Sequence, residues 1–347
     1  GAVSEGPANP GAMPGRLVCL GLVVVAVLVI WKGSECFERS AERLSKHCGL
    51  PVAVHGGIVV AVGSSFPELS SIVISTVLHD DFSLGVGAIV GSAIFNLLII
   101  PALSAFYTEA LETTRDIVHK DGQFYVISVL VLFVVFALGA TYVPGGTNSA
   151  AILTPALVVL PLATYGIYVF LHQQDASDYV PDDPPDIRPG REWGTLVVAL
   201  LVIAVGVEGI VRAAISLGDI FETPTFLWGV TVIAAGTSLP DTFVSVRAAR
   251  NGDSVTSLTN VLGSNIFNLL VAIPVGVLLA GSATINFLVA IPTMGFLAFA
   301  TLVFIVFTRT DLELTDREAY GFIGLYVLFL LWMALESLGV IETVRGI

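Results

Sequence analysis

Charge is scarce in this chain. Asp, Glu, Lys and Arg make up 12% of its 347 residues and 55% are hydrophobic, whereas a soluble domain carries about twice that charged share. A water-surrounded globular fold is therefore excluded. Basic residues are the scarcer sign, 15 Lys and Arg against 28 Asp and Glu for a net charge of −13, and no nucleic-acid partner is expected. Cysteine is nearly absent. Cys19, Cys36 and Cys48 have no paired spacing, which removes a disulfide framework and a thiolate metal site. The five histidines (His47, His55, His79, His119 and His172) are scattered near segment ends and suggest no metal cluster. No cofactor is indicated.

What the chain has in quantity is apolar sequence, in windows of about 20 residues that each suffice to span a bilayer as a helix. Charged, Pro and Gly breaks divide it into ten spans near 16–44, 52–78, 83–107, 123–143, 151–171, 193–217, 225–249, 254–280, 285–308 and 319–341. This reads as an all-α polytopic membrane protein with ten transmembrane helices. An N-terminal tail (1–15) precedes a first five-helix repeat (16–171). An acidic linker (172–192) leads to a second five-helix repeat (193–341) and a C-terminal tail (342–347). The acid-rich stretch from Asp175 to Asp186 reads as a solvated linker, with adaptation to high salt as a second reading of the acid excess.

The duplication is visible residue by residue. AVGSSFPELSS (Ala61 to Ser71) and IVGSAIFNLL (Ile89 to Leu98) return as AAGTSLPDTFVS (Ala234 to Ser245) and VLGSNIFNLL (Val261 to Leu270). At an offset of 173, Gly33, Glu35, Arg39, Pro51, Gly56, Ala61, Gly63, Ser65 and Pro67 meet Gly206, Glu208, Arg212, Pro224, Gly229, Ala234, Gly236, Ser238 and Pro240. Glu68 then meets Asp241. After a one-residue deletion, Asp81, Gly91, Ser92, Ile94, Phe95 and Asn96 meet Asp253, Gly263, Ser264, Ile266, Phe267 and Asn268. Five spans per copy is an odd number, so the second copy lies inverted relative to the first. Gly63/Pro67 and Gly236/Pro240 interrupt the second and seventh helices, a break tolerated only where freed backbone faces protein or a cavity.

Orientation follows from the basic residues. Arg39, Arg43, Lys46, Arg115, Lys120, Arg188, Arg191, Arg247, Arg250, Arg309 and Arg317 share one set of loops. The opposite set, with both termini, holds little beyond Arg16, Arg212 and Arg345. The first set is expected in the cytoplasm of a cell (inner or plasma) membrane, with both termini extracellular or periplasmic.

Helical spacing assembles a site. Ser64 and Ser65 lie four and three residues before Glu68, and Thr237 and Ser238 stand likewise before Asp241. Ser92 with Asn96, and Ser264 with Asn268, form matching stripes four residues apart. Hydroxyl, amide, carboxylate and freed carbonyl oxygens together suit a hard cation such as Ca²⁺. Two carboxylates balance one divalent ion or two monovalent ones. Small residues can also serve close packing, and asparagines interhelical hydrogen bonds. An intramembrane acid without a nearby base is a functional group by default. Glu35 and Glu208 match across the copies but lie outside the oxygen-rich motif, and Glu336 reads as interfacial.

The paired GSSxPE and GTSxPD motifs, each followed by GSxxFN, resemble the two α-repeats of the cation/calcium exchanger superfamily, in its sodium/calcium exchanger branch. The resemblance covers essentially all ten spans, with motif regions at 61–98 and 234–270. It implies antiport of Ca²⁺ against Na⁺, with four ion sites arranged as a diamond at mid-membrane. Separately, a monomer in the lipid bilayer is expected. Glu68 and Asp241 are then the central carboxylates. Ala61, Ser64, Ser65 and Ser92 make the cytoplasmic Na⁺ site with Asp241. Ala234, Thr237, Ser238 and Ser264 make the external one with Glu68, and Asn96 and Asn268 complete the middle. The family's first and sixth helices slide across this core to alternate access.

Two departures matter. Asp241 stands where many prokaryotic members have Glu, which resembles the potassium-dependent exchangers. Those carry Asp where this chain has Asn268, so K⁺-independent exchange is expected, with K⁺-dependent or H⁺-coupled exchange as alternatives. The proton-coupled branch reads GNxxE in both repeats, a pattern absent here. An intramembrane aspartyl protease needs two Asp, and no Gly-x-Ser-Gly nucleophile with a paired His is present. The chain is not expected to be an enzyme. A cation channel could use the same ligands, but an inverted repeat around a buried, doubly acidic site favours alternating access.

Overall fold

A computed structural model describes residues 12–47, 61–108, 111–113, 120–143, 150–175, 187–309, 312–338 and 340. The start of the second expected span (52–60), most of the acidic linker (176–186) and both chain ends lie outside the described residues. The chain is mostly helical. Helix α1 (Ala12–His47) precedes the short α2 (Ala61–Ser64), then α3 (Phe66–His79), α4 (Phe82–Ala105), α5 (Gly122–Thr141) and α6 (Val159–Asp175). Helix α7 (Pro189–Phe221) opens the second half, followed by α8 (Thr225–Thr237), α9 (Leu239–Arg250) and α10 (Ser254–Ala280). Helices α11 (Phe287–Arg309) and α12 (Asp316–Ser337) complete the order.

Seven helices (α1, α4, α5, α7, α10, α11 and α12) are long and apolar enough to cross a membrane, and the bent pair α8–α9 makes an eighth candidate. This is a multi-pass membrane protein. Helices α4 and α10 are the innermost, 83% buried over their most apolar windows, against 22% for α1 and 33% for α7. The outer helices turn apolar side chains outward, as at Leu17, Val205 and Leu302, the composition of a lipid-facing surface.

Residues 173 apart make reciprocal contacts. Helices α1 and α7 pack so closely that a Cβ on Gly33 would fall 2.8 Å from the Ile203 side chain, and one on Gly206 would fall 2.8 Å from Ile30. Likewise Gly63 abuts Phe37 of α1 while Gly236 abuts Ile210 of α7. Asp81 caps α4 by accepting from the Leu84 N–H at 2.9 Å, and Asp253 caps α10 from the Thr256 N–H at 2.9 Å.

Four short strands correct the expectation of an all-helical chain. β1 (Leu111–Glu112) pairs antiparallel with β4 (Glu313–Leu314), and β2 (Ala150–Leu153) with β3 (Ala283–Asn286). The fifth and ninth expected spans, drawn from 151 and 285, therefore begin as strand, with helix only from Val159 and Phe287. Burial alternates along this ribbon: Ala151, Leu153, Ala283 and Ile285 point inward. That period of two belongs to a half-buried strand.

Candidate cation site

Both copies of the motif break their helix at the same place. Ser65 (φ −87°, ψ 5°) separates α2 from α3, and Ser238 (φ −80°, ψ −4°) separates α8 from α9, whose axes differ by 43°. Two residues on, Pro67 and Pro240 have no N–H to give to the carbonyls of Gly63 and Gly236, which lose their helical donors. The breaks expected at Gly63/Pro67 and Gly236/Pro240 thus centre on the serine between each pair. Glu68 and Asp241 follow in the first turn of α3 and α9.

Backbone-to-backbone contact brings the two copies together. A Cβ on Gly91 of α4 would lie 2.1 Å from the Val230 carbonyl oxygen, and one on Gly229 would lie 2.3 Å from that of Leu84. No side chain fits at this crossing. Val230 lies in a π turn (Gly229–Ile233) within α8, and a second π turn (Asn268–Ala272) lies within α10, beginning at a candidate ligand. Such turns recur at functional sites.

The polar groups meet between these helices. Glu68 and Asp241 are fully buried, as are Ser64, Ser65, Ser92, Asn96, Thr237, Ser238, Ser264 and Asn268. Ser92 donates to Glu68 Oε1 at 3.2 Å, Ser238 reaches the same oxygen at 3.5 Å, and the two hydroxyls are 2.8 Å apart. Ser264 donates to Asp241 Oδ1 at 3.2 Å, and Asn96 Nδ2 donates to Oδ2 at 2.8 Å. Each carboxylate therefore takes hydroxyl or amide donors from both halves of the sequence. Ser64 lies 3.3 Å from Ser264 and beside Asp241, and Thr237 lies beside Glu68. The Thr237 hydroxyl also donates to the carbonyls of Ile233 (3.0 Å) and Ala234 (3.3 Å). Ala61 opens α2, and Ala234 is buried in α8.

Several of these groups are left wanting partners. Among the described residues, Glu68 Oε2, Asn96 Oδ1, the Ser65 hydroxyl and both polar atoms of the Asn268 amide are buried without a hydrogen bond. Neither carboxylate has a Lys, Arg or His partner among the described residues. Two uncompensated carboxylates in an apolar interior are strongly unfavourable unless a cation joins them.

Three polar residues of the network have no polar counterpart in the first copy. Asn260 Oδ1 accepts from Ser64 at 3.4 Å, while its Nδ2 donates to Ser245 at 3.0 Å. Asn265 accepts from Asn96 at 3.2 Å and donates to the Ala93 carbonyl at 3.1 Å. Their counterparts in the first copy are Ala88 for Asn260, Ala93 for Asn265 and Ile72 for Ser245, so the duplication does not mark them. Their signal was polarity alone, within an apolar helix. Glu35 and Glu208 stand apart, in ion pairs with Arg39 and Arg212 four residues on, the former also with Lys32 and the latter with His79. Glu336, expected at an interface, is fully buried and accepts from Trp332 Nε1 at 3.2 Å.

The family model described as sodium/calcium exchanger protein matches residues 18–172 and 191–335, nearly the whole chain. The chain belongs to the sodium/calcium exchanger family. This is a family of transporters, not enzymes. Among relatives, the sodium/calcium exchanger MaX1 of Methanosarcina acetivorans is 26% identical over 342 residues, covering 89% of this chain and 96% of that protein. Human sodium/potassium/calcium exchanger 4 is 41% identical over 102 residues, 29% of this chain and 16% of that one. In fold, the sodium-calcium exchanger NCX_Mj soaked with 2.5 mM Na⁺ and 10 mM Sr²⁺ aligns with a TM-score of 0.62 at 21% identity, over 91% of this chain and 98% of that one.

Proposed function

We propose that this family member is a secondary antiporter that exchanges Na⁺ for Ca²⁺ by alternating access and needs no K⁺. The observation that carries the reading is the pair of fully buried carboxylates, Glu68 and Asp241, ringed by hydroxyl and amide oxygens and without a basic partner among the described residues. One Ca²⁺ neutralises them; Na⁺ ions taking over the same oxygens let the ion leave. Hard cations of this kind are held by six to eight oxygens, roughly. Ser64, Ser65, Ser92, Asn96, Thr237, Ser238, Ser264 and Asn268, with the backbone at Ala61 and Ala234, are the proposed remaining ligands.

Two inverted five-helix repeats are the proposed architecture. The reciprocal glycine contacts, the paired Asp81 and Asp253 caps and the matched breaks at Ser65 and Ser238 support it. So do the two ribbons, because exchanging the copies converts the β1–β4 pairing into β3–β2. K⁺ independence rests on Asn268, an amide that brings an oxygen without a third charge. The basic residues orient the termini outward, in a cell membrane. The test is Ca²⁺ uptake into proteoliposomes preloaded with Na⁺, with K⁺, or with neither but a pH gradient. Uptake is expected with Na⁺ alone. Uptake driven by the pH gradient, or absent until K⁺ joins Ca²⁺ outside, overturns the reading.

A further inference from the structure

Glu38 breaks the duplicated pattern. Gly33, Glu35 and Arg39 of α1 recur in α7 as Gly206, Glu208 and Arg212, yet Ser34 and Glu38 meet Val207 and Val211. Both valines are fully buried in an apolar cluster with Ile203 and Ile210. The fold is thus served by aliphatic side chains at these positions, and packing does not account for a carboxylate there.

Helical spacing places Trp31, Ser34 and Glu38 on one face of α1. The Trp31 ring meets Phe243 of α9 at 5.5 Å, so this face looks onto α9. Glu38 is half-buried there, and the charges around it are Asp241 and Arg247 on α9 with Glu35 and Glu42 on its own helix. Among the described residues it makes no hydrogen bond or ion pair, whereas neighbouring Glu35 is held by Lys32 and Arg39. One turn earlier, Ser34 is fully buried and its hydroxyl has no partner among the described residues. Helix α9 begins at the break beside Asp241 and ends with Arg247 and Arg250 exposed. Oxygens free to accept a cation therefore run along α1 beside the helix that leads from the buried acid to the Arg-bearing face.

We propose that Ser34 and Glu38 line a one-sided approach by which Ca²⁺ reaches Asp241 from the Arg-bearing face, a role that rests on the exchange reading above. A carboxylate acts on a divalent ion with twice the Coulomb energy it has for Na⁺. It also offsets the field of Arg247, which otherwise repels cations from the opening. The second copy has valines in place of both residues, so the opposite face lacks the device.

The test measures the Km for Ca²⁺ separately at each face, in right-side-out and inside-out membrane vesicles driven by a Na⁺ gradient. Glu38→Gln should raise the Km at the Arg-bearing face by about three- to tenfold, the scale of one partly screened charge, and leave the opposite face unchanged. Glu38→Asp should restore most of the loss. Arg247→Gln, a change at an exposed side chain, should lower the Km at the same face. Equal changes at both faces would make Glu38 a scaffold residue, and unchanged Km values in Glu38→Gln would deny it a role. Either result overturns the approach path while wild-type exchange leaves antiport standing. Wild-type vesicles without Na⁺-dependent uptake would overturn antiport itself and the path with it.

Discussion

Glu68→Gln isolates the charge from the shape of the site. Glu68 is fully buried, with Oε1 accepting from Ser92 at 3.2 Å and from Ser238 at 3.5 Å, and with Oε2 unpartnered among the described residues. Glutamine can keep its oxygen on the two hydroxyls. Its amide nitrogen then takes the place of Oε2, and a nitrogen donor cannot ligate Ca²⁺. The variant loses one ligand and half the compensating charge, and breaking a buried charge pairing costs about 3–5 kcal/mol. At 1.4 kcal/mol per tenfold, Ca²⁺ affinity should fall by roughly 140- to 3,700-fold. Thermal unfolding in detergent reads this directly. Ca²⁺ at 100 times the wild-type Kd stabilises the wild type by about 2.7 kcal/mol, and the variant by less than about 0.4 kcal/mol. Without Ca²⁺ the sign reverses: removing a buried charge that lacks a partner should leave the variant at least as stable as the wild type. Na⁺-driven uptake should vanish in Glu68→Gln, and in Asp241→Asn by the same reasoning. A glutamine variant with wild-type Ca²⁺ stabilisation would refute the assignment, and one that unfolds without Ca²⁺ would make Glu68 structural.

The packing and the topology are testable on their own. Gly91→Ala puts a methyl 2.1 Å from the Val230 carbonyl oxygen, where backbone cannot yield, and should destabilise by about 2–3 kcal/mol in denaturant unfolding; a wild-type midpoint would deny that crossing. Single cysteines replacing Ser4 and Ser177 in a cysteine-free background should react differently with an impermeant maleimide on intact cells, Ser4 labelled and Ser177 protected; the reverse pattern would invert the orientation. Asn268→Asp adds a third acid to the pair, and Ca²⁺ uptake by that variant should rise with K⁺ on the Ca²⁺ side while the wild type stays indifferent; a K⁺ response in the wild type alone would return the chain to a K⁺-dependent reading.

Helix placement was legible because twenty apolar residues leave few other options in a bilayer. The eighth expected span, 254–280, is α10 to the residue, and the seventh ends one residue from Arg250. The breaks were legible because Pro67 and Pro240 remove donors whatever surrounds them. The β2–β3 ribbon was not: Ala150–Leu153 and Ala283–Asn286 are too short for a period of two to be told from the helical period. Asn260, Asn265, Ser245 and Glu38 escaped for another reason. Repetition was the main signal, and each stands where the copies differ.

The same asymmetry yields a prediction about the transport cycle. Asn96 sits in a regular stretch of α4 and bonds Asp241 and Asn265, whereas its counterpart Asn268 starts a π turn and its amide has no partner among the described residues. Identical residues in matching positions thus occupy different environments. Under the alternating access between inverted repeats proposed above, the two copies trade environments. In the opposite-facing state Asn268 should therefore donate to Glu68, and Asn96 should release Asp241. Each asparagine then holds its acid in one state only, and losing it should weaken Ca²⁺ binding at one face. Asn96→Ala and Asn268→Ala should each raise the Km for Ca²⁺ in vesicles of one orientation, and the two orientations should differ. The expected size is about 10- to 150-fold, the loss of one hydrogen bond to a charged group at about 1.5–3 kcal/mol. If both variants change the Km at the same face, or each changes it equally at both, the exchange of partners is wrong and the two asparagines serve one fixed site.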